Sequence, residues 1–274
     1  MNSQQFTDLR KATQLSQAEI AVELGLSSRT IANWEAADPP REFSRLETNG
    51  LRHFFLPRVL GRKLGELCDE AFETIPSELC AIWLVEEGEC LLVPDAARFQ
   101  DLDLVDKRER RKLTTATCTA SLMDTSLTTV PLRSGELVNE AGPRIALHPA
   151  KRYSRTREAP FFRGGRCESL LHMPAFIPSS RGPRPVLLLS LENKLSPDGK
   201  VLYLPPTENE CIPDPAFSTP LDPGDQRHDN ITIYTAEDEK VTASLAKDFC
   251  DRLRPHLELL DMLTPEESPS VNFS

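Results

Sequence analysis

Residues 17–36 read QAEIAVELGLSSRTIANWEA, and the spacing of their apolar side chains decides what the first quarter of the chain is. Ile20, Ala21, Leu24, Leu26, Ile31 and Trp34 fall into two groups around Gly25. That is the spacing of two short helices meeting at a glycine turn. Ala21 is small where the helices cross, and Gly25 can take the positive φ of the turn without steric cost. Ile31 and Trp34 face the core from the second helix, while Ser27 and Ser28 supply its N-cap. The stretch is predicted to be a helix-turn-helix.

The polar face of the second helix carries residue types that read DNA. Arg29 can make a bidentate contact to guanine, Asn33 can pair with adenine, and Ser28 and Thr30 can donate to bases or phosphates. The other reading of such a face is a helical protein-interaction module whose polar side chains are merely solvated. Residues 9–35, LRKATQLSQAEIAVELGLSSRTIANWE, resemble the Cro/repressor type of helix-turn-helix, the XRE family. In that family LSQ, a helix ending LGLS and a recognition helix ending WE occur in this order. The resemblance implies that Gln17 is directed at the DNA backbone. It also implies that Ser27, Ser28, Arg29, Thr30 and Asn33 are presented to the major groove of double-stranded DNA.

With 274 residues, the chain is too long for one small helical domain and suits two, one of ordinary globular size. Its 32 basic and 42 acidic residues give a net charge of −10, unfavourable for coating DNA non-specifically. The charge is uneven. Residues 1–62 hold eight basic and seven acidic side chains, so the predicted DNA-reading part is near neutral and the rest is acidic. Weak non-specific affinity follows, together with a need for dimer binding. The start of the chain lacks the apolar core of a signal peptide, and no run reaches the length of a membrane span, so a cytoplasmic protein is expected. The seven cysteines are odd in number, scattered and never arranged as CxxC, which speaks against a zinc site or a disulfide framework.

In chain order, Phe6 to Ala12 reads as a first helix, and Asp38-Pro39-Pro40 as a stop to the recognition helix. Apolar residues recur at helical spacing from Phe43 to Leu67 with an interruption at Pro57. The first part closes a DNA-binding domain, 1–57, and a connecting helix occupies 58–75; the connector is a conduit between domains or a passive spacer. From Glu78 the pattern changes to short apolar runs, LCAIWLVE, ECLLVP, SLLHMPAFI and PVLLLSLEN, which are strands by length and borders. EEGE between the first two is a hairpin candidate. Asp106 to Leu122 and Ala236 to Leu263 read as helices. The expected fold is therefore multidomain: an all-α helix-turn-helix domain, then an α+β domain over 76–264 with a central antiparallel sheet flanked by helices. A polar tail, 265–274, is predicted to be disordered.

The order ELCAIWLVEEGECLLV, GELVNEAG, ESLLHMPAFI, VLLLSLENK and YTAEDEKVTASLAKDF resembles a GAF domain, the small-molecule sensory fold of phytochromes and cyclic-nucleotide phosphodiesterases. It is most similar to the phosphodiesterase branch, whose signature is Asn-Lys, a gap, Phe, three residues and Asp-Glu. Here Asn193 and Lys194 are followed by Tyr234, Asp238 and Glu239, with tyrosine in place of phenylalanine. The gap holds an unusual proline-rich insertion, 195–230, a candidate for binding a protein partner. The resemblance implies that Lys194 and Asp238 form a structural ion pair shaping the pocket lid. By residue type alone, Thr235 is the N-cap of the final helix, and Asp238 and Glu239 are acids of its first turn.

Arg144 to Arg166 carries seven basic residues against Glu158 alone. In GAF domains this region roofs the ligand cavity. Arg152 and Arg163 can hold a phosphate or carboxylate bidentately, with Tyr153 stacking on a ring, as for a small anionic ligand such as a cyclic nucleotide. The bland alternative is a solvated basic loop. Cys167 is followed by Glu168 and not histidine, so the Cys-His pair that attaches a bilin is missing; Cys167 is a redox-sensing thiol or an ordinary buried one. The candidate ligand set is thus Arg152, Tyr153, Arg163, Cys167 and Glu168. The five histidines lack ligand spacing, and no nucleophile-base arrangement, phosphate loop or metal-bridging carboxylates stand out, which disfavours an enzyme. The last helix carries a leucine stripe, Leu245 to Leu263, that packs on its own sheet or, together with the connector near Leu60, on a twin in a homodimer. The reading that results is a DNA-binding regulator with a sensory domain; its alternative is a signalling adaptor acting through protein contacts.

Overall fold

A computed structural model describes residues 1–86, 88–93, 95–100, 118–122, 128–141, 167–178, 182–204, 218–221, 233–260 and 262, with the backbone alone at 118–120. The chain divides into two compact units: Met1–Lys63 with Arg252–Ser274, and Leu64–Asp251. The predicted tail 265–274, helix residues 106–117 and most of the insertion lie outside the described residues.

In the first unit, α1 (Ser3–Ala12) is started by Asn2, whose side chain accepts from the Gln5 amide while the Gln5 side chain accepts from the Asn2 amide. α2 (Gln17–Glu23) and α3 (Ser28–Glu35) follow, joined through Gly25 at φ +67°. Phe6, Leu9, Ile20, Ala21 and Ile31 are buried where the three helices meet. The ring of Phe6 meets Trp34 at 5.5 Å, Phe55 at 5.8 Å and Phe43 at 6.0 Å between centroids. Edge-to-face contacts of this kind add to plain area burial. Backbone bonds from Ser3 to Arg41 and from Phe43 to Met1 pin the N-terminus beside this cluster.

The fourth helix differs from expectation. α4 is continuous over Arg45–Thr74, with Pro57 inside it. Proline removes one hydrogen bond, to the carbonyl of His53, an exposed residue whose carbonyl can turn to water. On both sides of it Phe55, Leu56, Leu60 and Leu64 are buried at 1% exposure or less, so packing keeps the two parts in one helix. α4 contributes residues to both units, as does the last helix, α6 (Ala236–Leu259).

The second unit is an antiparallel sheet with helices beside it. Its strands are β1 (Ser77–Glu86), β2 (Glu89–Leu92), β3 (Ala97–Phe99), β4 (Cys118–Ser121), β5 (Val138–Ala141), β6 (Ser169–Ile177) and β7 (Arg184–Lys194), in spatial order β4-β2-β1-β7-β6-β5 with β3 on β1. A short helix, α5 (Val130–Ser134), precedes β5, and β8 (Val201–Tyr203) pairs in parallel with β9 (Ser218–Pro220). Residues 118–121 correct the helix expected over Asp106 to Leu122: they form an edge strand on β2. Threonines in that stretch favour extended backbone, and the free edge of β2 supplies the ladder. Pro174 is tolerated within β6 because β5 pairs only as far as His172, so nothing there needs a second ladder bond.

Register assigns the side chains of the sheet to two faces. On one, Cys80, Ile82, Leu84, Leu171, Leu187, Leu189 and Leu191 are all apolar and almost fully buried. There α4 brings Cys68 onto Cys80; that hydrogen bond and burial push the Cys80 thiol well above its usual range. The other face alternates in phase with it and carries His172, Ser190 and Glu192 between two apolar clusters.

Of the two readings of the leucine stripe of α6, burial within the chain is the one that its described positions follow. Phe249, Leu253, Leu257 and Leu260 are at 1% exposure or less within the single chain, as is Leu60, so none is available to a twin. Replacing Phe6 by alanine is expected to cost about 3–5 kcal/mol, read as a lower midpoint in urea unfolding followed by circular dichroism; a change under about 1 kcal/mol would show that the aromatic cluster does not hold the first unit together.

Candidate functional site

The starts of α2 and α3 are built by short-range hydrogen bonds. Ser16 caps α2 through a capping box with Glu19, whose amide donates to Ser16 Oγ at 3.1 Å and whose carboxylate accepts from the Ser16 amide at 2.8 Å. At α3 the cap is Ser27: its Oγ accepts from the Thr30 amide at 3.0 Å and lies 2.8 Å from Thr30 Oγ1. These two hydroxyls therefore serve the start of the helix. Ser28, Arg29 and Asn33 are exposed, and among the described residues no partner engages Arg29 or Asn33. At 100° per residue the three span an arc of about 140°, opposite the buried Ile31.

Gln17 departs from its expected direction. Its amide nitrogen donates to Glu35 Oε2 at 2.7 Å, and Arg10 grips the same carboxylate through Nε at 2.5 Å and Nη2 at 3.0 Å. A carboxylate with 10% side-chain exposure needs such partners, so it draws in the nearest amide. Burial works to raise the pKa of Glu35, but the bonds from Arg10 and Gln17 outweigh it and hold the group below the usual carboxylate range. The result is one carboxylate of α3 tied to both α1 and α2.

In the second unit, four strands and α6 converge on a polar network at one end of the sheet. Asn193, at φ +54°, uses its side-chain oxygen to accept from the Glu168 amide at 2.6 Å and the Ser169 amide at 3.3 Å, and its nitrogen to donate to Glu78 Oε2 at 2.8 Å. Asparagine tolerates this left-handed conformation better than most residues. Lys194 places its ammonium on Asp238 Oδ2 and 5.7 Å from the centre of the Tyr234 ring. Asp238 also accepts from the Thr235 amide at 2.6 Å, while its own amide donates to Thr235 Oγ1 at 3.1 Å, which makes Thr235 the cap of α6. Tyr234 is fully buried with its hydroxyl 3.0 Å from Ser77 Oγ, and Asn139 of β5 donates to the Tyr234 carbonyl at 3.0 Å and to Glu239 at 2.8 Å.

Of the expected ligand set, Arg152, Tyr153 and Arg163 lie outside the described residues. Cys167 and Glu168 are both buried; Cys167 Sγ is 3.5 Å from the Ser169 carbonyl and 3.9 Å from Glu192 Oε2. Beside them stand His172, Ser190 and Glu192, which the residue patterns did not single out. Their signal was present: in LLLSLEN the polar residues alternate inside an otherwise apolar strand. Ser190 Oγ is 2.9 Å from His172 Nε2, and Glu192 Oε1 is 3.6 Å from the same nitrogen. A serine-histidine-acid relay needs the acid on the other ring nitrogen, so this arrangement does not build a nucleophile. Among the described residues no group of three His, Cys, Asp or Glu side chains could hold a metal. No helix of the described residues is long and apolar enough to cross a membrane.

No protein-family model matches the chain, and no curated relative matches it. Among solved structures, two that match do so weakly. A type II free methionine-R-sulfoxide reductase from Thermoplasma acidophilum is 12% identical, covering 71% of this chain and 92% of that one with a TM-score of 0.38. Thermotoga maritima IclR is 11% identical, covering 93% of this chain and 97% of that one with a TM-score of 0.34. At such scores neither likeness fixes a function.

Asp238 yields a pH test. Burial works to raise its pKa, but Lys194 and Thr235 prevail and hold it below the ordinary carboxylate value. Its stabilising contribution is therefore full above about pH 4, the unfolded value, and is lost as pH falls through the lower folded value. Asp238→Asn is expected to be less stable than wild type at pH 7, with a difference that narrows between pH 4 and pH 2 in urea unfolding; a difference constant across that interval would contradict the assignment.

Proposed function

We propose that the chain is a cytoplasmic, sequence-specific DNA-binding transcription regulator and not an enzyme. The observation that carries this reading is the outward face of α3, where Ser28, Arg29 and Asn33 are exposed on a helix whose start is capped by Ser27 and whose end is tied through Glu35. A rigid helix presenting a guanidinium and an amide is what direct readout of base edges requires. The XRE likeness of residues 9–35 supports the same role. Ser27 and Thr30 then act chiefly by shaping the helix start, and Gln17 by joining α2 to the Glu35 carboxylate. The protein would bind as a homodimer, through surfaces other than the already buried stripe of α6.

The second unit is proposed as a GAF-like sensor. Its polar sheet face, with His172, Ser190 and Glu192 set between apolar clusters, supplies fixed hydrogen-bonding groups on an apolar floor, the composition of small-molecule sites. A small anionic ligand, a cyclic nucleotide for example, would have its charge held by Arg152 and Arg163 and its ring stacked on Tyr153.

The test is footprinting of the purified protein on fragments of its own genome. A two-fold symmetric protected site is expected for wild type. Arg29→Ala and Asn33→Ala should each weaken that site by about 1–3 kcal/mol, roughly 5- to 150-fold. No protected site at low salt and micromolar protein would overturn the reading.

A further inference from the structure

Glu35 and Asp238 are each met by several close donors, and Glu192 is not. The side chain of Glu192 is 22% exposed, so most of it has left bulk water while its carboxylate can still be reached. Three groups stand around the oxygens. Ser190 Oγ is 3.4 Å from Oε1, His172 Nε2 is 3.6 Å from Oε1, and Cys167 Sγ is 3.9 Å from Oε2. A good hydroxyl donor comes within about 3.0 Å of its acceptor, and a thiol is a weak donor at any distance. The single proton of Ser190 has a nearer acceptor, because its oxygen is 2.9 Å from His172 Nε2. With the ring proton on Nε2 instead, histidine donates to serine, and serine reaches Glu192 only across the 3.4 Å gap. Among the described residues no lysine or arginine pairs with this carboxylate.

Register sets the charge in an apolar collar. In its row of the sheet Glu192 lies between Leu170 of β6 and Leu79 of β1. The two leucines pack in one cluster with Cys167, and Phe99 and Val130 lie half-buried against it. A carboxylate held there without a cation or a close donor costs stability, and a leucine in its place would continue the packing. Largely buried polar groups without close partners are uncommon and mark a place where something else binds. The chemistry of that partner follows from the surroundings. It carries positive charge, since the neutral donors at hand stand off, and it carries carbon, since the collar is apolar. A primary ammonium on a hydrocarbon stem meets both conditions, with three N–H donors on one compact charge. An anion is repelled at this point, so any acidic group of the ligand is held away from Glu192.

We propose that Glu192 is the anchor of the sensory site and takes the protonated amine of a small molecule, whose carbon stem rests on Leu79, Leu170 and Phe99. The inference rests on the reading of the second unit as a small-molecule sensor.

The experiment is thermal unfolding of the full chain, wild type and Glu192→Gln, alone and with three probes at millimolar concentration. Glutamine keeps the shape and removes the charge. Without a probe the variant should melt about 2–4 °C above wild type, because the charge is retained for binding and not for stability. A midpoint equal to wild type or below it shows a structural carboxylate and overturns the proposal. Benzylammonium should raise the wild-type midpoint and leave Glu192→Gln unmoved. Benzyl alcohol and benzoate carry the same ring with a neutral or negative head and should move neither protein. No shift with benzylammonium, a shift that survives Glu192→Gln, or an equal shift with benzoate overturns the proposal. Should the variant fail to fold, the three heads compared on wild type decide alone. Cyclic GMP in the same assay keeps the sensor reading apart. A shift with cyclic GMP and none with benzylammonium retains the sensor and removes the amine.

Discussion

Two partly buried carboxylates, each met by several donors, tie neighbouring elements together, one in each unit of the protein. Glu35 in the first unit takes two bonds from Arg10 and one from Gln17, joining all three of the first helices through a single side chain. Asp238 in the second takes Lys194 and both donors of Thr235, joining the end of β7 to the start of α6. Each group is a local minimum that its neighbours must be in register to reach. Removing one partner would leave charge in a partly apolar surrounding, which costs far more than the paired arrangement returns.

The same logic explains the division of the sheet. The face with Ile82, Leu171, Leu187 and Leu191 is a packing surface, apolar through the middle of three strands, with Cys68 of α4 set against it. Its opposite face breaks the apolar pattern at His172, Ser190 and Glu192, in neighbouring positions of adjacent strands. Polar groups gathered on one side of an otherwise apolar sheet are expensive to bury and contribute nothing to packing, so their concentration marks the side that has work other than stability. Serine and glutamate both approach one ring nitrogen of His172, so the three groups do not form a serine-histidine-acid relay.

Much of this was legible in the residues. Two short helices around Gly25, the Ser27 cap, the strand runs from Glu78 onward and the Thr235 cap are all signals carried within a few positions of chain. The Lys194–Asp238 pair, separated by 44 residues, was reached only through the resemblance to a known sensory fold. Three expectations gave way to packing. Pro57 did not end its helix, because buried residues on both sides outweighed one lost backbone bond. The threonine-rich end of a supposed helix became β4, because the edge of β2 offered it a ladder. Gln17 turned to Glu35, since the need of a buried carboxylate lies outside any local pattern.

What the sequence determined by itself is the set of elements and their sharp ends, because helical and strand periods, caps and glycine turns act between residues a few positions apart. Tertiary structure alone decided which polar groups meet. Arg52 and the Leu260 carbonyl are 208 residues apart and give no sign of each other in the chain. His172 and Ser190 come together only because β6 and β7 pair in one register and not the next. A shift of one residue would send both to the apolar face, so the pairing of strands, and not the residues singly, placed them on the same side.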